Sequence, residues 1–217
     1  AEEAKVSNLT IVNSCAVTGE AVKKAKKFIK KAKKNTPENK IIVTGCAAQT
    51  EPKTFAAMDE VDLIIGNSEK LSKKVWQDIK GMTSFSEIIN DDKKIFVENI
   101  MQANKLSPVM INGIGTRSRA YVQIQNGCDH RCTFCLIPFG RGKSRSVNSA
   151  NVLAQIDRLV KRGFNEVVLT GVDITAWGED LQKKSKLGAL VREILNTIPK
   201  LTRLRISSID PVEVDED

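Results

Sequence analysis

The sequence predicts an α/β protein built on parallel sheets. Short β-branched runs alternate with longer stretches of helical periodicity, and the first strands stop at a small polar residue or glycine followed at once by a cysteine. Parallel neighbours need crossovers of a dozen residues or more, and the spacing between successive runs supplies them. Such strands form an open doubly wound sheet or a barrel, and both place their chemistry at the carboxyl ends of the strands. At 217 residues and 41% hydrophobic, the chain can bury one large core or two smaller ones.

Leu9-Thr10-Ile11-Val12 reads as a buried strand that stops at Asn13-Ser14-Cys15. From Glu20 to Lys34, Ala21, Val22, Ala25, Phe28, Ile29 and Ala32 recur at helical spacing and eight lysines fill the remaining positions, which predicts a helix with one core face and one cationic face. Asn35-Thr36-Pro37 ends it. Lys40-Ile41-Ile42-Val43-Thr44 repeats the pattern and stops at Gly45-Cys46-Ala47. Val61 to Asn67 gives a third strand, and Ser68 is placed to cap a helix whose inner face holds Leu71, Val75, Trp76 and Ile79. Periodicity then fades, so the domains are expected at residues 1–81 and 116–217, with a linker at 82–115 holding a strand or two. The second domain opens with a strand from Arg119 to Gln125, then a helix from Ser149 to Arg162, a strand from Glu166 to Thr170, a helix from Leu187 to Ile198 and a strand from Leu204 to Ser208.

Lys+Arg 34 against Asp+Glu 26 gives a net charge of +8, which favours polyanionic partners. The chain has no secretory signal and no apolar run long enough to span a bilayer, so a cytoplasmic location and no membrane partner are expected. Without an initiating Met, and with Asp210 to Asp217 following directly on a strand, it reads as a piece of a longer protein. Five cysteines, three of them within eight residues, point to metal or redox chemistry rather than a disulfide framework.

Cys128, Cys132 and Cys135 lie at i, i+4 and i+7 in a loop that follows a strand. Three thiolates converging there would hold an iron-sulfur cubane with one iron left open. A zinc site of three cysteines and His130 is the competing reading; the position of His130 inside the loop weighs against it, because zinc modules more often separate two ligand pairs. Cys15 and Cys46 each follow one of two strands expected to be neighbours, so their side chains would share one rim of a sheet; the alternative is that each is a small buried hydrophobe.

The run Asn126-Gly127-Cys128-Asp129-His130-Arg131-Cys132-Thr133-Phe134-Cys135-Leu136-Ile137-Pro138-Phe139-Gly140-Arg141-Gly142-Lys143-Ser144-Arg145-Ser146, with an aromatic residue before the last cysteine, resembles the radical S-adenosylmethionine methylthiotransferases, and within them the MtaB type. Asn13 to Thr18 and Val43 to Gln49 are similar to two of the three cysteine segments of that family's first domain. The resemblance implies a truncated doubly wound first domain, followed by the first part of a radical-SAM partial (β/α) barrel. It implies that Cys128, Cys132 and Cys135 hold a 4Fe-4S cluster whose open iron chelates S-adenosylmethionine. Cys15 and Cys46 would be two ligands of a second 4Fe-4S cluster, the third ligand lying upstream of Ala1. Reductive cleavage of the sulfonium would start methylthiolation of the adenine C2 of threonylcarbamoyladenosine beside the tRNA anticodon. Flavodoxin or ferredoxin would supply the electron, and the sulfur source is open. Sister enzymes act on isopentenyladenosine in tRNA or on a ribosomal-protein aspartate. Members of the family continue through more barrel strands and a small RNA-binding domain, so this chain alone is not expected to be active.

Thr170-Gly171-Val172 stands where the family has a Gly-Gly-Glu-like segment that meets the methionine amino group; Gly171 keeps close backbone approach, while Thr170 and Val172 depart from the pattern. Asp173 and Trp177 match the family run more loosely. Arg141, Lys143 and Arg145, among Gly140 and Gly142, are candidate RNA or cofactor contacts, and the lysine face around Lys27, Lys30 and Lys31 is either an RNA surface or a solvated one. A reading from another class is a zinc-stabilised, basic RNA-binding module without catalysis.

Overall fold

The computed structural model describes residues 8–81, 94–104, 106 and 118–214. The chain divides into two compact units, Ala1–Ala103 with Arg131–Arg141, and Asn104–His130 with Gly142–Asp217.

The first unit runs β1 (Leu9–Ser14), α1 (Gly19–Asn35), β2 (Lys40–Gly45), α2 (Cys46–Thr50), α3 (Pro52–Ala56), β3 (Leu63–Ile65), α4 (Lys73–Gly81) and β4 (Ile95–Phe96), and a short helix α5 (Ile137–Arg141) belongs to its returning segment. The four strands are parallel in the order β1-β2-β3-β4. Alternate residues of β2 feed opposite faces, as the two-residue repeat of a strand requires. Ile41 and Val43 join Val12, Ile29, Phe55 and Ile64 in one core, while Ile42 packs with Leu63, Ile65 and Ile79 in the other. Helices thus cover both faces: α1 and α3 one, α4 the other.

The side chain of Thr18 accepts the amide of Ala21 and starts α1, Glu20 sits in its first turn, and Lys33 and Lys34 sit in its last. Its buried line is Val22, Ala25, Ile29 and Ala32. Phe28, expected inside, is 54% exposed, because one residue of offset rotates it about 100° from fully buried Ile29 and onto the lysine face. The expected Ser68 cap is corrected too. Ser68 makes no capping bond; a 3-10 turn at Glu69–Leu71 intervenes, and α4 starts at Lys73. Trp76 Nε1 holds that turn by donating to the Lys70 carbonyl at 2.7 Å, which leaves Leu71 exposed.

Of the expected linker, 82–93, 105 and 107–115 lie outside the described residues. Within its described part, β4 pairs with β3, and Ile100 is buried on a 3-10 turn.

The second unit holds β5 (Arg119–Gln123), β6 (Gln125–Asn126), β7 (Arg145–Ser146), α6 (Ser149–Lys161), β8 (Glu166–Thr170), α7 (Leu187–Thr197) and β9 (Arg203–Ile206). β5, β8 and β9 form a parallel sheet in that order, with Gln123 opposite Thr170 and Leu169 opposite Ile206, so their carboxyl ends are level. Ala120, Val122, Val167 and Leu169 pack against Val152, Ile156 and Leu159 of α6, Leu190 and Ile194 of α7, and Trp177. The single strand expected from Arg119 to Gln125 breaks at Ile124. The backbone there turns from β8 to β7, and the Ile124 carbonyl accepts Val147 N at 2.8 Å.

Candidate metal centre

In the second unit the chain leaves β6 through Gly127, whose φ is +85° and whose missing Cβ would lie 1.9 Å from the Lys143 carbonyl oxygen; only glycine fits that turn. Cys128 follows, half-buried, its amide donating to the Gly142 carbonyl at 3.1 Å. Its Sγ lies 3.6 Å from Asp173 Oδ2, at the carboxyl end of β8. His130 Nε2 is 3.5 Å from the same carboxylate oxygen and 2.8 Å from Glu213 Oε1. Thr175 Oγ1 hydrogen-bonds to both Asp173 and Glu213. The structure therefore gathers the donor atoms of Cys128, His130 and Asp173 within 4.8 Å of one another, a group that does not include Cys132 or Cys135. A cavity of about 410 Å³ opens beside them, lined by Asp129, His130, Ser144, Asp173, Trp177 and Lys186 among others.

Cys132 and Cys135 lie on the segment that belongs to the first unit. Cys132 is exposed and Cys135 half-buried, and one turn joins them through Cys135 N and the Cys132 carbonyl at 3.0 Å. Phe134 between them is 90% exposed. In the same unit Ser14 and Gly45 are register partners, so Cys15 and Cys46 leave adjacent parallel strands at one rim. Cys15 is exposed and Cys46 buried.

Cys46 has close partners. Arg141 Nε donates to its Sγ at 3.2 Å, and Asn67 Nδ2 lies 3.7 Å from Sγ while donating to the Gly140 carbonyl at 2.6 Å. A Cβ on Gly140 would come within 3.0 Å of the Cys46 Cβ, so the glycine lets α5 lie against Cys46. Gly140 is thus part of a helix rather than a turn, and Arg141 is engaged with a thiol. Lys70 stands nearby, its Nζ 3.4 Å from Asn13 Oδ1; burial holds its ammonium below the usual lysine range, and the charge of Arg141 adds to the effect.

Lys143 is exposed. Arg145 is 6% exposed, its Nε donating to the Lys143 carbonyl at 3.2 Å, and burial lowers its pKa. A cation held in that way braces its own loop. Thr170 Oγ1 donates to the Val122 carbonyl at 3.3 Å, and the amides of Val172 and Asp173 both donate to Gln125 Oε1 at 2.9 Å. Sequence reading passed over Gln125 and Asn67. A glutamine at the end of an apolar strand was the one available signal for the first; the second is defined only by its tertiary partners.

Residues 1–66 match the uncharacterized protein family UPF0004, and residues 122–214 match the radical SAM superfamily. A threonylcarbamoyladenosine tRNA methylthiotransferase MtaB of Rickettsia prowazekii is 45% identical over 98% of this chain and 48% of its own length. Over nearly its whole length the chain is thus similar to radical S-adenosylmethionine methylthiotransferases. The MtaB of Bacillus subtilis is 32% identical over 98% of this chain and 46% of its own. A ribosomal protein uS12 methylthiotransferase, RimO, of Acetivibrio thermocellus is 31% identical over 99% and 48%. The chain spans about half the length of the curated relatives it matches. Its fold is also that of a radical S-adenosylmethionine methyltransferase, TsrM, of Kitasatospora setae, with a TM-score of 0.61 at 17% identity, covering 94% of this chain and 45% of that one.

Proposed function

We propose that this chain is part of a tRNA-modifying enzyme that methylthiolates the adenine C2 of threonylcarbamoyladenosine next to the anticodon. The observation that carries the reading is the Cys128, Cys132 and Cys135 loop at the carboxyl end of a parallel sheet, in a chain that aligns over 98% of its length with an MtaB. The donor set fits a 4Fe-4S cluster: all three are soft thiols outside any disulfide, and none of the three is buried. Cys128, Cys132 and Cys135 would hold it. When bound, it supplies the electron that cleaves S-adenosylmethionine, chemistry outside the reach of any side chain.

The protein's own part is binding and orientation. The cavity beside His130 and Asp173 is where a cofactor would be held, with Asp173, Lys186 and Glu213 as polar contacts. Cys15 and Cys46 would contribute to a second cluster, Cys46 already ordered by Arg141 and Asn67. The lysine face of α1 and exposed Lys143 are the cationic surfaces available to tRNA phosphates. The enzyme would work in the cytoplasm with a flavodoxin or ferredoxin as reductant, and mass spectrometry of tRNA nucleosides from a knockout strain separates threonylcarbamoyladenosine from isopentenyladenosine or a ribosomal aspartate as its target.

A second reading is favoured by the grouping of Cys128, His130 and Asp173, a donor set that also suits zinc. Anaerobic reconstitution decides between them. Stoichiometric iron and sulfide with visible absorption that bleaches on reduction support the enzyme; stoichiometric zinc without sulfide overturns it.

A further inference from the structure

Gln125 is fully buried, yet it is polar and lies at the point where the chain leaves the parallel sheet for the cysteine loop. Its amide is saturated. Oε1 accepts Val172 N and Asp173 N, each at 2.9 Å, and Nε2 donates to the Gly127 carbonyl at 2.8 Å and to Ser144 Oγ at 2.9 Å. Two donors and two acceptors exhaust what a primary amide offers, and no other uncharged side chain presents that pair of ends at that length. Gly171 makes the arrangement possible, since a Cβ there would lie 2.9 Å from Oε1 and 3.2 Å from the Gln125 Cβ.

One side chain thus ties together three places: the backbone of the residue before Cys128, the hydroxyl of Ser144 just before β7, and the backbone of the segment after β8. It also sets the polarity of that segment. In a trans peptide the carbonyl points opposite to the amide, so with the Val172 and Asp173 amides turned onto Gln125, the carbonyls of Gly171 and Val172 are directed away from it. What is left for a ligand is a pair of acceptors, suited to an ammonium group and unsuited to a carboxylate.

We propose that Gln125 is a positioning residue that fixes Cys128 in register with the 171–173 backbone and turns that backbone into an acceptor face for the amino group of S-adenosylmethionine. The inference rests on the radical-SAM reading. Gln125→Glu would place an acceptor against the Gly127 carbonyl and so releases the cysteine-loop half; Gly171→Ala would press a methyl onto Oε1, which must give way, and so disturbs the acceptor half while the amide itself is kept.

The test uses this chain in a Cys15→Ala/Cys46→Ala background, so that iron counts report only the loop. Iron and sulfide per chain are measured first, then the S-adenosylmethionine concentration that gives half the change in the electron paramagnetic resonance signal of the reduced cluster. The wild-type loop is expected to take up iron and sulfide and to respond. Both variants are expected to load iron equally and to need about tenfold more S-adenosylmethionine, the loss usual when hydrogen-bonded positioning fails. Equal half-change concentrations in all three chains overturn the role of Gln125 and leave the radical reading standing. A wild-type loop that takes up no iron, or ignores S-adenosylmethionine, overturns the reading and the inference together. Where circular dichroism shows Gln125→Glu unfolded, Gly171→Ala alone decides.

Discussion

Reversing charge on the outer face of α1 tests whether that surface meets tRNA. Lys27, Lys30, Lys31 and Lys34 are exposed and follow at i, i+3, i+4 and i+7, a cationic stripe about 10 Å long at 1.5 Å per residue. By contrast Lys33 is engaged with Asp62 at 3.5 Å, and Lys26 lies over the Phe55 ring. A triple variant at Lys27, Lys30 and Lys31, each changed to Glu, removes up to three phosphate contacts. Each contact contributes roughly 0.7 to 0.9 to the slope of log affinity against log salt, so three contacts make wild-type binding fall roughly 20- to 40-fold between 50 and 200 mM salt, a fall the variant lacks. Filter binding of tRNA across that range reads both affinity and slope. Phe28→Ala, on the same face, separates charge from stacking: affinity is expected to drop while the slope stays. Parallel lines for wild type and the triple variant would refute the surface.

Trp177→Phe removes the bond from Nε1 to the Val147 carbonyl at 2.9 Å together with part of a side chain that is 1% exposed, so a loss of about 2–4 kcal/mol in urea unfolding is expected. Glu69 carries a buried Oε2 without a hydrogen-bond partner, and burial raises its carboxyl above the ordinary 4.5, with Glu98 adding to the effect. The fold therefore favours the protonated form, and that favour is complete below the ordinary value and lost as pH rises through the folded one. Glu69→Gln is accordingly expected to melt with wild type near pH 3 and above it from about pH 5 upward; a gap that does not change with pH would refute the cause.

Much of the fold was legible because periodicity is local. β1, β2 and β8 and the helices α1, α6 and α7 lie within a residue or two of where hydrophobic spacing puts them. So do the cysteines at strand ends, since a strand that stops at Gly45-Cys46 must deliver its thiol to the rim. The misplaced residues share a different cause. Phe28 needed the rotation of α1 to within one residue. Helix α5 tolerates Pro138 because a first turn needs no amide there, so a glycine-rich reading of the segment hid it. Arg145 and Arg141 look like free cations in sequence; one is buried against its own loop, and the other donates to a thiol 95 residues away. Gln125 is the extreme case, because its role consists of four hydrogen bonds to segments up to 48 residues away.

The same distinction between local and tertiary placement predicts how the apo thiols react. Cys15 and Cys132 are exposed at loop positions, Cys128 and Cys135 are half-buried, and Cys46 is 8% exposed beneath α5, with Gly140 against its Cβ and Arg141 on its sulfur. An alkylating reagent must reach Sγ in line with the C–S bond it forms, so steric access sets the order while the fold is intact. Cys15 and Cys132 are expected to label first and Cys46 last, with a bulky maleimide widening the interval relative to iodoacetamide. Gly140→Leu, which cannot keep α5 on Cys46, should bring Cys46 forward in that order without moving Cys15. Peptide mass spectrometry over a labelling time course reads all five positions in one sample. Labelling of Cys46 as fast as Cys15 in the wild-type chain, at native circular dichroism, would mean that α5 does not cover it, and the preordered ligand assigned to that position would be lost.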